Sequence, residues 1–565
     1  IVHRRSNRRG KSVEWRVFCR YDFRDERMGL TQGIHRAVQL YANRPALVAE
    51  GVARDWATFA DRVARLAGVL TARGVGAGDR VAMLGHNSPR FVEYYFATLW
   101  AGAVMVPVNT RWALPEKIHC LNDSGARLLL VDGPFAGDAN ALRRACPGLE
   151  NLVLWDSGGG SGEGARPHND PDAGADLDFM GDALDYEAAL AQAQAVPDAR
   201  RGGEDLAALF YTGGTTGRAK GVMLSHDNFL ANSMNALVNL GITADSVHLH
   251  VSPLFHVAGG SRVFTTTVAG GTHAVIPRFE PDLFLEAIAR FKVTITVVVP
   301  TMLNALLQHP RLDDYDLSSL QLLTYGASPM PESLLRRAMA RLPGVAFLQS
   351  YGMTELSPVA TCLSPRYHSF EGPDAGRVRS AGQAVFNADV AVMDAEDRAL
   401  APGEVGEICV RGPMVMLGYW QQPELTAQTL RGGWMHTGDA GYLDDGGFLF
   451  LVDRVKDMII SGGENVYSAA VENVLYKYPG VHECAVIGVP DDRWGEAVHA
   501  IVVAQPGVQI DEQSLLDHCR EQLAGYECPK TIDLRAEALP KSGAGKILKA
   551  ELRAPFWQDQ QRGIH

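Results

Sequence analysis

No C-x-x-C pair occurs among the eight cysteines of this 565-residue chain, and their spacing is irregular. That argues against a cysteine-bound zinc and against a disulfide framework, and it fits a reducing cytoplasm. Long apolar runs are missing as well. The longest, residues 96–108, contains Gly102 and Pro107 and falls short of the roughly 18–20 residues that a membrane span requires. Positive charge is not in excess: 53 Lys and Arg stand against 65 Asp and Glu, a net of −12. Such a chain shows no electrostatic footprint for nucleic acid or an anionic membrane surface. No G-x-S-x-G segment presents a serine nucleophile. Gly74-Val75-Gly76-Ala77-Gly78 lacks the final glycine of a dinucleotide fingerprint and reads as a surface turn. Chemistry on small molecules is what these absences leave.

What is present is apolar material for several cores. Hydrophobic residues make up 46% of the chain, and single cores stop growing near roughly 250–300 residues, so two or more domains are expected. Residues 1–27 carry nine Arg and Lys against four Asp and Glu and lack the apolar centre of a secretion signal. They read as a tail or added extension, with Met28 as the natural start. From about residue 80, apolar strands alternate with amphipathic helices, the signature of parallel α/β architecture. Strands are expected at 81–84, 104–106 and 128–131. A helix starts at Ser88-Pro89, with Ser88 as N-cap and Pro89 where its missing N–H costs nothing.

Residues 157–176, rich in Gly, Asp and Pro, read as a surface loop separating two subdomains. Beyond it, strands at 206–211, 293–299 and 320–325 with helices at 281–291 and 331–342 suggest a second α/β layer. After about residue 380 the texture changes to short strands and glycine turns, including 442–443 and 448–452 joined across Asp444-Asp445-Gly446-Gly447. Strands at 484–489 and 500–503 and a helix near 512–523 imply a small α+β C-terminal domain. The expected organisation is an N-terminal domain over 28–452, with subdomains of about 28–200, 201–375 and a β-rich 376–452. A hinge at 453–457 and a mobile C-terminal domain over 458–565 follow.

A phosphate needs backbone N–H groups aimed at it, small residues that let the chain approach, hydroxyl donors and a cation. The segment Tyr211-Thr212-Gly213-Gly214-Thr215-Thr216-Gly217-Arg218-Ala219-Lys220-Gly221 supplies all four, directly after an apolar strand. It is not the common P-loop, because Ala219 precedes Lys220 and Gly221 follows it.

The segment closely resembles the signature loop of the adenylate-forming superfamily, which includes acyl- and aryl-CoA synthetases, nonribosomal-peptide adenylation domains and beetle luciferases. Further blocks match in the family's order: Val251-Ser252-Pro253-Leu254-Phe255-His256, Tyr325-Gly326-Ala327-Ser328-Pro329 and Gln349-Ser350-Tyr351-Gly352-Met353-Thr354-Glu355. Thr437-Gly438-Asp439, Asp453-Arg454-Val455-Lys456-Asp457, Ser461-Gly462-Gly463-Glu464-Asn465 and Pro540-Lys541-Ser542-Gly543-Ala544-Gly545-Lys546 complete them. The resemblance spans about residues 30 to 550.

Roles follow from that resemblance. Gly326, Ala327 and Ser328 match the adenine-binding block, and Ser350, Tyr351 and Gly352 the block after it, with Tyr351 offering a ring for adenine. Thr354 is the α-phosphate contact and Glu355 the Mg²⁺ ligand, acting through water because magnesium keeps much of its hydration. Asp439 accepts from the ribose hydroxyls and Arg454 adds a ribose or phosphate contact. Lys546 bridges the substrate carboxylate and the nucleotide, holding two anionic reactants together. Lys456 is the hinge between two half-reactions, and the loop at Gly462 and Gly463 serves the thiol. That loop departs slightly from pattern, with Ser468 where many relatives carry Pro and Ala470 where many carry Glu.

The family's acyl pocket maps onto Phe255, Val257, Gly259, Gly260, Met302 and Met353, with Thr301, Gly326, Ser357 and Val359 beside them. His256 matches a gating or orienting position. These residues are apolar or small and offer no charged partner, so a hydrophobic acid is expected, with the paired glycines leaving room for it. A medium or long fatty acid is the first expectation and an aryl or cinnamate-like acid the second. ATP and CoA are the implied co-substrates. The middle of the second subdomain lacks the amino-group-binding aspartate of peptide-forming relatives, which favours free CoA as the thiol. A homodimer stays open. A catalytically silent adenylate-binding module is the alternative from another class; its mark would be loss of Lys546, Glu355 or Asp439, and all three are present.

Overall fold

A computed structural model of the chain describes residues 27–155, 183–212, 218–328, 330–454, 457–461, 464–491, 493–541 and 547–557. Its mixed α/β architecture has a large N-terminal part holding three sheets and a small C-terminal part built on a fourth. The first sheet runs, edge to edge, through Gly418–Tyr419, Lys220–Ser225, Leu206–Thr212, Val104–Pro107, Arg80–Leu84, Ala126–Asp132, Asn151–Trp155 and Leu184–Asp185. The second runs from Gln383–Ala384 through Val359–Leu363, Ala346–Gly352, Leu322–Gly326, Ile295–Val298, Val247–His250, Thr272–Val275 and Pro45–Ala49 to Val52–Asp55. The central strands pair in parallel, and antiparallel strands close both edges of the second sheet and one edge of the first, whose other edge, Leu184–Asp185, is parallel. Helices cover the faces, as parallel strands buried on both sides require. The third sheet joins Asp389–Met393, Gly406–Arg411, Met435–Leu443 and Leu449–Arg454. The C-terminal sheet centres on Val481–Asp491 and Gly495–Ala504. No described helix is long and apolar enough to cross a membrane.

Local chemistry sets the elements where expected. Ser88 caps the helix Pro89–Trp100, its Oγ accepting from the Phe91 amide at 3.2 Å, and Pro281 opens Pro281–Phe291. Sheet membership, however, does not follow chain order. The strand Leu206–Thr212 lies in the first sheet, where Ala208 pairs with Met105, rather than in the second α/β layer. Conversely, Pro45–Ala49 joins the second sheet beside Thr272–Val275. Both exchanges arise from pairings between residues far apart in sequence, which leave no local periodicity.

One charged cluster is sealed into the N-terminal core. Glu93 is fully buried. It takes hydrogen bonds from Arg62 Nε at 2.6 Å and from the Tyr186 hydroxyl at 2.7 Å, and it also pairs with Arg54. Arg62 reaches on to Glu187 at 2.9 Å. Burial opposes the Arg62 charge, yet Glu93 and Glu187 hold its pKa above the ordinary range. The network ties the helix Trp56–Ala72 to Pro89–Trp100 and to Tyr186–Gln192.

Candidate active site

In open α/β sheets the crevice beyond the carboxyl ends of the strands is the place where ligands bind. Here the ends of Arg80–Leu84, Val247–His250, Ile295–Val298, Leu322–Gly326 and Ala346–Gly352 border one cavity of about 560 Å³. Lys541, from the C-terminal part, joins the lining. It pairs with Glu483 and its backbone bridges to Ile547, so both parts of the chain wall the cavity.

Phe255, Val257, Met302 and Met353 line it, together with His256 and Thr354. His256 is the N-cap of the helix Val257–Ala269, and its Nδ1 accepts from the Ala258 amide at 3.2 Å. Burial lowers its pKa to about 4. A neutral ring that accepts at Nδ1 carries its proton on Nε2. At neutral pH His256 is therefore a hydrogen-bond donor beside the cavity and carries no charge.

Gly326, Ala327, Ser350, Tyr351 and Gly352 line the same cavity. A side chain on Gly326 would collide with the Ser350 carbonyl, so the two strand ends lie closer than any other residue permits. Ala327 adopts a φ of +64°, and Ser328 follows it. The Tyr351 hydroxyl donates to Asp439 at 2.8 Å, and Asp439 stands opposite Arg454 in the antiparallel ladder. Thr354 and Glu355 share one buried turn of 3₁₀ helix. Glu355 accepts from the Tyr419 hydroxyl at 2.8 Å, and the Lys220 ammonium sits 5.1 Å from the Tyr419 ring centroid. Burial, reinforced by the Glu355 charge, raises the Tyr419 pKa and keeps it a donor. Thr212 pairs with Lys220 across an antiparallel hairpin, so the glycine- and threonine-rich segment joins two strands of one sheet.

Gly213, Gly214, Thr215, Thr216, Gly217, Lys456, Gly462, Gly463 and Lys546 lie outside the described residues, as does the side chain of Arg454. Gly259 and Gly260 do not provide room for a substrate. A Cβ on Gly259 would lie 2.5 Å from the Pro253 carbonyl oxygen, and one on Gly260 would strike the Tyr95 hydroxyl, so both serve close packing of the helix. Ser357 is buried with its Oγ donating to the Met414 carbonyl at 2.8 Å.

The expectation of an uncharged pocket is also overturned. Arg262 lines the cavity and is only 5% exposed, and its Nε has no hydrogen-bond partner. Tyr419 and Arg262 are among the site residues that the sequence motifs do not mark, as are Arg111 and Arg278 in the same lining. Tyr419 carries no local signal, whereas Arg262 is visible as the one charged side chain in the helix Val257–Ala269.

The AMP-binding enzyme family matches residues 34–420, and the AMP-binding enzyme C-terminal domain matches residues 470–546. A feruloyl-CoA synthase of an Amycolatopsis species is 43% identical over 90% of this chain and 94% of its own length. A long-chain-fatty-acid–CoA ligase of Escherichia coli O157:H7 is 35% identical, covering 95% of this chain and 96% of its own. Among solved structures, ATP-bound MatB from Rhodopseudomonas palustris superposes with a TM-score of 0.81 at 32% identity, over 94% of this chain and 99% of that one. The chain belongs to the AMP-binding enzyme family, within the adenylate-forming superfamily. It is an AMP-forming acid–CoA ligase, for which ATP and CoA are the expected co-substrates.

Proposed function

We propose that this ligase activates an aromatic, phenylpropenoic type of acid, with the cavity at His256, Met302 and Met353 as the acid site and the Tyr351–Asp439 and Thr354–Glu355 side as the nucleotide site. The observation that carries the reading is the junction of both sides in one cavity, with Lys541 of the C-terminal part in its wall. The acid carboxylate attacks the α-phosphorus of ATP and pyrophosphate leaves, a step that needs alignment and charge neutralisation rather than a protein nucleophile. The CoA thiol then attacks the acyl-adenylate carbonyl, releasing AMP and a proton. His256 Nε2–H is suited to orient the carboxyl end without adding charge. Thr354 and the buried Glu355 carboxylate form an oxygen donor set that fits Mg²⁺, and a bound Mg²⁺ would offset phosphate charge.

An apolar lining also admits a fatty acyl chain, but the Arg262 guanidinium in that lining suits an oxygen-bearing substrate better than a methyl terminus. A pyrophosphate-release screen over phenylpropenoic, benzoic and fatty acids, with and without CoA, tests the reading. Highest kcat/KM on fatty acids would replace it. Lys546→Ala should slow adenylation by at least about 10²–10³-fold, the usual cost of losing one preorganised electrostatic donor. Near-normal pyrophosphate release by that variant would remove Lys546 from its role.

A further inference from the structure

Arg262 is a buried cation that the adenylation chemistry does not use. It sits on the helix Val257–Ala269, six residues beyond His256, which places it roughly 9 Å farther along the helix axis. Its backbone is held conventionally: the Thr266 hydroxyl donates to its carbonyl at 2.7 Å. Its guanidinium is not. Burial lowers its pKa, and among the described residues the one group that counters this is the Cys362 thiol. That thiol is itself pushed up to about 11 by burial and so stays uncharged. The nearby His248 is driven the other way, chiefly by burial and also by Arg262, and is neutral too. No carboxylate among the described residues offsets the charge, yet arginine cannot escape it by losing a proton. An unpaired buried guanidinium is costly to retain in a purely structural role, because an apolar side chain would fill the same space without the desolvation cost. Beside a cavity, the missing partner has somewhere to come from.

We propose that Arg262 is the specificity residue of the acid site, donating hydrogen bonds to an oxygen substituent on the ring of an aromatic acid whose carboxyl group lies at the His256 end. The inference rests on the acid–CoA ligase reading of this cavity and refines it. The axial offset from His256 to Arg262 suits a ring held out by a three-carbon propenoic arm. The guanidinium presents several N–H donors in a fixed plane, which can serve a phenolic and an adjacent ether oxygen together. The remainder of the lining around Phe255, Val257 and Met302 covers the ring faces.

The test compares kcat/KM for pyrophosphate release in the full chain, with MgATP and CoA, on acids that differ only at the distal end. These are 4-hydroxycinnamate, 4-methylcinnamate, octanoate and octanedioate. The parent enzyme should prefer the hydroxylated acid over its methyl isostere by about 10–100-fold, the scale of one hydrogen bond to a charged group. In Arg262→Met that ratio should fall to within about threefold, and Arg262→Lys should keep part of it. Because each ratio is taken within one variant, partial loss of folded protein cancels. If Arg262→Met yields no folded enzyme, Arg262→Gln and Arg262→Lys carry the comparison. A ratio that survives in Arg262→Met or Arg262→Gln overturns the proposal. So does a parent enzyme that does not discriminate between the two cinnamates, or one that prefers octanedioate. Failure of the parent enzyme on all four acids would instead overturn the reading of this cavity as a site for phenylpropenoic acids.

Discussion

Glu93 and Arg262 are both charges withdrawn from water, and the chain treats them in opposite ways. Around Glu93 the hydrogen-bonding capacity is filled from within, by Arg54, Arg62 and Tyr186. Around Arg262 nothing in the described chain answers the charge. The first arrangement is closed and binds helices together. The second is open toward the cavity. Burial alone therefore does not separate a structural charge from a functional one; the presence or absence of an internal counterpart does.

The sharpest way to break this contrast is Glu93→Ala. It strands Arg54 and leaves Arg62 with Glu187 alone, so stability should fall by about 3–5 kcal/mol, read from the midpoint of denaturant unfolding. Arg262→Met should move the other way. Removing a charge without a partner from the ligand-free protein should raise stability by about 1–3 kcal/mol, and an equal loss in both variants would erase the distinction. A third class of buried group sharpens it further. Burial lowers the pKa of His226, His256 and His368 to about 4 and of His250 to about 3. Unlike arginine, these groups shed their charge. In the unfolded chain they titrate near 6.5, so below that pH the unfolded state binds more protons. Stability should be complete above about pH 6.5 and fall as pH drops toward 4, each histidine contributing up to about 1.4 kcal/mol per unit. Thermal unfolding followed across that window checks the slope.

Much of this was legible beforehand. The alternation of strand and helix, the cap at Ser88, and the helix Pro281–Phe291 each follow from local chemistry that the tertiary structure leaves alone. The motif residues His256, Met302, Tyr351, Met353 and Thr354 come from distant segments yet meet at one cavity. Sheet assignment was less legible, because Ala208 finds Met105 and Leu47 finds His273 across long stretches of chain that no periodicity connects. The link from Tyr419 to Glu355 is tertiary in the same sense. The glycines after His256 misled for a different reason. Small residues signal either space for a ligand or contact with another backbone, and only coordinates separate the two.

Those two glycines bear on how the enzyme family can change its diet. With Gly259 and Gly260 pressed against the Pro253 carbonyl and the Tyr95 hydroxyl, the first turn of the helix Val257–Ala269 cannot retreat to enlarge the cavity. A new substrate must then be accommodated by exchanging the side chains that face it: Arg262 on that helix, Met302 on the helix Pro300–Leu307 and Met353 just after the strand Ala346–Gly352.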